Sequence, residues 1–188
     1  MLLTCRSSVL LCLLAVAGCA TTAVPTAQSG APAADVHAFV VAPMTVVPSA
    51  SGGAPWIVDA VLQADGIARG SSSPLGRIER DRVVDARGEV LLQLAPDGIV
   101  TLPWSTSAAS PLFRFTPQGL KLFSRRGTIL ITVEADGAYA RDGVATGARV
   151  TPYAPAHRDT ALLLSVLPLV VLDRAIARTR TAADGPAR

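Results

Sequence analysis

The 188-residue sequence is poor in the residues that most often carry chemistry or cross-links. Its three cysteines, Cys5, Cys12 and Cys19, all lie within the first nineteen positions, so no disulfide can form in the remainder. His37 and His157 are the only histidines and stand at opposite ends of the chain's body. With no ligand-spaced pair between them, a zinc site lacks its usual donors, and both are expected as loop or surface residues. Lys121 is the sole lysine, aromatic residues make up 4%, and the formal net charge is +3. Nucleic-acid binding requires a concentrated basic face with aromatic or motif support, and this composition does not supply one. The patterns GxSxG, SxxK, GxGxxG and the phosphate-binding P-loop do not occur. An aspartate-only hydrolase would have to be built from Asp59, Asp81 and Asp85, whose spacing does not propose it. The expectation is a chain without catalysis, cofactor, metal or nucleic-acid partner.

What is present begins with a leader. Arg6 precedes the apolar run Val9 to Ala17, whose nine residues are far fewer than the roughly 20 a membrane-spanning helix needs. A positive start, a short apolar run and small residues before a cleavage point form a secretory signal. The stretch Val16-Ala17-Gly18-Cys19 resembles the bacterial lipobox. That resemblance implies cleavage between Gly18 and Cys19 and a di- or triacylated Cys19 as the first mature residue. It also gives a role to the one cysteine the mature chain keeps. One acyl chain holds a protein only marginally to a bilayer, whereas two or three make attachment effectively permanent. In the lipobox family an Asp after the cysteine implies retention in the inner membrane, so Ala20 implies the outer one.

Cleavage removes Arg6 and leaves 170 residues with a formal charge of +2. Residues 20–35, ATTAVPTAQSGAPAAD, are small and polar with two prolines, too poor in apolar surface to offset their ordering entropy. They are expected to form a disordered tether, so that residues 19–35 serve as anchor and spacer. The rest is long enough for one domain with its own core.

Within that domain, seven four-residue groups end in glycine: QADG at 63–66, DARG at 85–88, APDG at 95–98, TPQG at 116–119, SRRG at 124–127, EADG at 134–137 and ARDG at 140–143. Proline presets the first turn angle in two of them, and the glycine is free to take positive φ, as hairpin loops demand. Their spacing is irregular, which excludes a solenoid. Between them lie short strand-like runs. Leu112-Phe113-Arg114-Phe115 alternates, and Ile129, Ile131 and Val133 share one face. The expected fold is mainly β: an antiparallel meander, closed as a sandwich or small barrel, over residues 36–158.

Residues 161–172, ALLLSVLPLVVL, are of another kind. They are apolar on every side, with Pro168 inside, and they center an expected helix over 159–178, followed by a disordered tail at 179–188. Packing on the β-domain is the first expectation; a helix lying on or dipping into the membrane and a partner-docking segment are the alternatives. The run RIERDR, 77–82, reads as a solvated edge strand whose charges block aggregation. Lys121, Arg125 and Arg126 are candidate contacts for an anionic lipid, lipopolysaccharide or cell-wall polymer. Trp56 and Trp104, each beside a proline, are expected in the core.

Glycine-ended turns followed by an arginine-preceded apolar helix are similar to those of uncharacterised envelope lipoproteins from GC-rich Gram-negative bacteria such as myxobacteria, a resemblance that implies no particular activity. The expected function is a non-catalytic structural or binding module of the outer membrane. Its partners are membrane lipid through Cys19 and an envelope protein or polymer. The alternatives are a periplasmic carrier or assembly factor, which needs an apolar pocket between sheet and helix, and an envelope-polymer hydrolase, which needs clustered carboxylates with raised pKa.

Overall fold

The computed structural model describes residues 37–50, 57–71, 73–105, 112–124 and 126–183. The expected leader and tether lie outside these. Twelve strands follow in chain order: β1 Met44–Val47, β2 Ala60–Leu62, β3 Ile67–Gly70, β4 Pro74–Ile78, β5 Arg82–Val84, β6 Val90–Leu94, β7 Ile99–Thr101, β8 Leu112–Thr116, β9 Gly119–Ser124, β10 Gly127–Val133, β11 Ala138–Arg141 and β12 Val144–Thr151. A single 3-10 turn, Pro155–His157, leads into the helix α1, Arg158–Ala183. Each strand pairs antiparallel with the next, and β1 pairs with β12 to close a barrel, with Val46 opposite Val150. The fold is mainly β with one C-terminal helix, and the sheet closes on itself.

All seven glycine-ended groups sit at hairpin turns. In APDG, the Ala95 N–H donates to the Ile99 carbonyl at 2.8 Å, the Gly98 N–H to the Ala95 carbonyl at 2.9 Å, and the Asp97 side chain accepts from the Ile99 N–H at 3.1 Å. Gly98 takes φ 82°, and a Cβ on it would lie 2.4 Å from the Phe115 carbonyl oxygen. Only glycine satisfies both the turn angle and this close approach of the neighboring hairpin. QADG and EADG repeat the arrangement, with Asp65 and Asp136 accepting from Ile67 and Ala138 N–H at 3.0 Å each.

The run 77–82 is not one strand. β4 ends at Ile78 and β5 begins at Arg82, because the Glu79 N–H donates to the Arg82 carbonyl at 2.8 Å and closes a tight hairpin. The carbonyls of Arg80 and Asp81 then accept from Phe39 and Leu94 N–H at 2.8 and 2.7 Å. A closed barrel has no edge for these charges to protect, so they serve as turn residues instead.

Twelve strands spaced about 4.8 Å apart and tilted about 40° close at a radius of roughly 12 Å. Wall side chains alone do not fill that lumen, and a helix about 10–12 Å across does. α1 occupies it. Every residue from Thr160 to Leu167 is at most 2% exposed, and α1 packs against β1, β2, β4, β6, β9 and β10, strands distributed around the whole ring. The apolar-all-round pattern of 161–172 is thus explained by burial on every side. By length and composition the helix is apolar enough to cross a membrane, yet its apolar half is the barrel's core. From the wall, Met44, Val46, Leu62, Ile78, Leu92, Leu120, Ile131 and Tyr139 point inward to meet it.

The helix is also longer than its pattern suggested. It starts at Arg158 and runs to Ala183, so Thr179–Ala183 belong to the helix rather than to a tail. No glycine or proline interrupts it between Pro168 and Gly185. Residues 184–188 lie outside the described residues.

Candidate functional site

Because the meander reverses at every turn, successive turns lie at alternate ends of the barrel. α1 enters at the end carrying the turns 63–66, 79–81, 95–98, 116–119 and 134–137. It leaves at the end carrying 85–88, 124–127 and 141–143.

The entry end is clamped by hydrogen bonds. His37 Nδ1 lies 2.7 Å from Asp159 Oδ2, with both side chains largely buried. Thr160 Oγ1 accepts from the Val40 N–H at 2.8 Å and donates to the Val40 carbonyl at 3.0 Å. The Tyr139 hydroxyl donates to the Ala161 carbonyl at 2.7 Å, and Arg158 donates to the carbonyls of Thr116 and Pro117. Burial pushes the Tyr139 phenol well above its ordinary pKa, so it stays a donor. The two histidines, far apart in sequence, therefore flank the same helix start, and His37, in a loop as expected, is a largely buried clamp. Its ring edge is packed on Gly98, with Nε2 3.0 Å from the point a Cβ would occupy.

The exit end is latched by charge. Arg174 donates to Glu89 at 2.8 Å and Arg178 to Asp85 at 2.9 Å; Arg178 also pairs with Glu89. The Arg174 guanidinium lies 5.4 Å from the ring center of Trp104, whose indole N–H donates to the Leu91 carbonyl at 2.8 Å. Trp104 is thus partly buried against the core, as expected, while Trp56 lies outside the described residues. Burial tends to raise the Asp85 pKa, but the N–H groups of Glu89 and Arg87 and the Arg178 guanidinium outweigh it and hold the carboxyl low. Hydrogen bonds from Arg174, then Arg178, lower Glu89 likewise. The Ala138 N–H, with help from Arg149, lowers Asp136.

These carboxylates do not gather. Asp81 stands at the entry end with its side chain bonded to Gln93, Asp85 stands at the exit end on Arg178, and Asp59 precedes β2. Every carboxylate with a resolved shift is shifted down. Among the described residues, no group of three or more His, Cys, Asp or Glu is placed to hold a metal ion.

The feature with binding character is on the outer wall. A groove of about 750 Å³ runs along β8 and β9 and is lined by Arg114, Lys121, Phe123 and Thr128, with Asp97 and Gln118 at its entry-end limit. Phe113, Phe115 and Leu120 point into the core, so alternation sends Arg114 and Lys121 outward, and the two are direct cross-strand partners. Among the described residues neither forms an ion pair. A guanidinium and an ammonium side by side, with Phe123 38% exposed beyond them, suit an anionic group carrying an apolar or ring portion. A second groove of about 460 Å³ at the helix start shares His37 and Pro117 with the first.

Of the residues singled out in the sequence, Lys121 lies in this groove. Arg126 is exposed at the exit-end turn and does not line it, while Gly18, Cys19 and Arg125 lie outside the described residues. Arg114 was missed. The signal for it was available: alternation in LFRF turns it outward, and the Thr116–Gly119 hairpin pairs it with Lys121. Comparison of the chain with protein-family models, with curated proteins and with solved structures finds no match.

Proposed function

We propose that this chain is a lipid-anchored, non-catalytic binding module of the bacterial outer membrane. Anchoring rests on Val16-Ala17-Gly18-Cys19 and the absence of any later cysteine, with Ala20 favoring the outer membrane. Binding rests on one observation, the unpaired Arg114–Lys121 pair in the β8–β9 groove beside exposed Phe123. The occupant is an anionic envelope component, polymer or protein. α1 fills the space that an apolar cargo would need between sheet and helix, so the outer wall is the available surface.

Two measurements test this reading. Cys19→Ala should release the protein from membranes or leave its leader uncleaved; unchanged processing and retention would refute the anchor. A photo-crosslinking amino acid at Phe123 in intact cells should capture one recurrent partner. That capture should fall at least tenfold in an Arg114→Glu/Lys121→Glu background, and equal capture in both refutes the groove.

A further inference from the structure

The second half of α1, which reaches the exit end, is not evenly covered. Arg174 and Arg178 turn toward the β5–β6 turn, while Leu169, Leu172 and Ile176, at helical spacing, are 37%, 58% and 42% exposed. Surface leucines scattered singly need no account, but three apolar residues on one helix face form a stripe.

The charges of the two barrel ends differ as well. At the exit end, Asp85 and Glu89 are taken up by Arg174 and Arg178, and Asp142 by Arg141 at 3.6 Å. Among the described residues this leaves Arg69, Arg87, Arg126 and Arg180 without an ion pair, against Asp59 and Asp173, the latter at the margin of the stripe. At the entry end, Glu79, Asp136 and Asp159 are paired with Arg82, Arg149 and His37. There, among the described residues, Asp65, Asp81, Asp97 and Glu134 remain without an ion pair, against Arg77, Arg80 and Arg158, with Arg114 and Lys121 two residues from the 116–119 turn. Unpaired arginines thus outnumber unpaired carboxylates where the apolar stripe emerges, while the entry end is close to balanced.

We infer that the exit end is a membrane-docking face that rests on an anionic lipid surface, with Leu169, Leu172 and Ile176 entering the headgroup boundary and the surrounding arginines meeting lipid phosphates. An apolar helix face flanked by arginines is the chemistry of interfacial binding. A neutral protein partner would satisfy the stripe and leave the excess of arginines around it without use. The anchor permits this orientation: seventeen residues separate Cys19 from His37, and a chain of that length spans at most about 60 Å, more than the height of the barrel. Docking of this kind goes beyond attachment, because it fixes which way the β8–β9 groove faces. With the exit end down, the groove stands upright and opens sideways, away from the bilayer.

The test uses the full chain, reconstituted into vesicles of phosphatidylethanolamine and phosphatidylglycerol. An environment-sensitive fluorescent amino acid replaces Leu172 at the exit end or Gln118 at the entry end. The probe at 172 should brighten several-fold and be quenched by brominated lipid, the probe at 118 should stay aqueous, and Arg87→Glu/Arg126→Glu should weaken the signal at 172. An aqueous probe at 172 in a chain that floats with the vesicles overturns docking and leaves the anchor standing. A signal at 172 that persists with Cys19→Ala supports docking whatever the state of Cys19. Equal lipid contact at both positions, or brightening at 172 without vesicles as the chain self-associates, overturns it.

Discussion

Leu164 offers the most direct test of a helix threaded through a barrel. Its side chain is fully buried and sits in the middle of the encircled segment Thr160–Leu167. Leu164→Ala removes three carbons from a site walled by strands on all sides, and a hydrogen-bonded ring cannot collapse inward to close the gap. The cost should therefore fall in the upper part of the range for buried leucine, about 3–5 kcal/mol. Leu172→Ala, on the same helix but 58% exposed, should cost about 0.5 kcal/mol or less. For a domain of this size, with a urea dependence of about 2 kcal/mol/M, the first substitution lowers the unfolding midpoint by roughly 2 M and the second barely moves it. Equilibrium urea unfolding followed by far-UV circular dichroism reads both. Equal, small shifts for the two variants would mean that α1 lies on the barrel's surface, and the account of its all-round apolar pattern would be wrong.

Thr160→Val keeps the shape of a fully buried side chain but strips the hydroxyl that serves both backbone groups of Val40. It should destabilize by about 1–2 kcal/mol in the same assay, since a partly buried N–H and carbonyl lose their partner; a neutral result refutes the clamp. Gly98→Ala places a Cβ 2.4 Å from the Phe115 carbonyl oxygen at φ 82°, whereas Gly88→Ala at φ 79° meets nothing within 4 Å. The first should cost roughly 2–4 kcal/mol and the second about 1 kcal/mol, read as unfolding midpoints, with parity between them counting against the close approach. Asp85 and Glu89 titrate lower in the folded chain than unfolded. Their contribution is thus complete above about pH 4–4.5 and is lost as pH falls through their lower folded values. Hydrogen exchange across residues 174–183 should accelerate at that acidic limit and, with Glu89→Gln, already at neutral pH; identical exchange in the variant and the parent would remove the latch.

Much of the wall was legible from local chemistry. Glycine-ended groups such as APDG and EADG announce hairpins because turn angles and Asx hydrogen bonds are settled within five residues. Alternation in 128–134 names Ile129, Ile131 and Val133 as the inward face for the same reason. RIERDR misled, because a run of charges with one apolar residue is read as a strand only while its neighbors are unknown. The carbonyls of Arg80 and Asp81 are engaged by Phe39 and Leu94, residues the local pattern cannot see. His37 and Asp159 illustrate the same limit across 122 positions.

By itself, then, the sequence determined a β meander, its turns, one helix with an all-round apolar run, and a last cysteine, Cys19, in a lipobox-like setting, all properties carried by neighbors in the chain. Tertiary structure decided the rest. Closure of β1 on β12 turned a meander into a ring, and a ring of twelve strands leaves a lumen that only a helix fills. That closure placed 161–167 inside and brought Arg174 and Arg178 against Asp85 and Glu89 at one rim. None of these follows from local preference, because each depends on which strand lies next to which around a closed circumference.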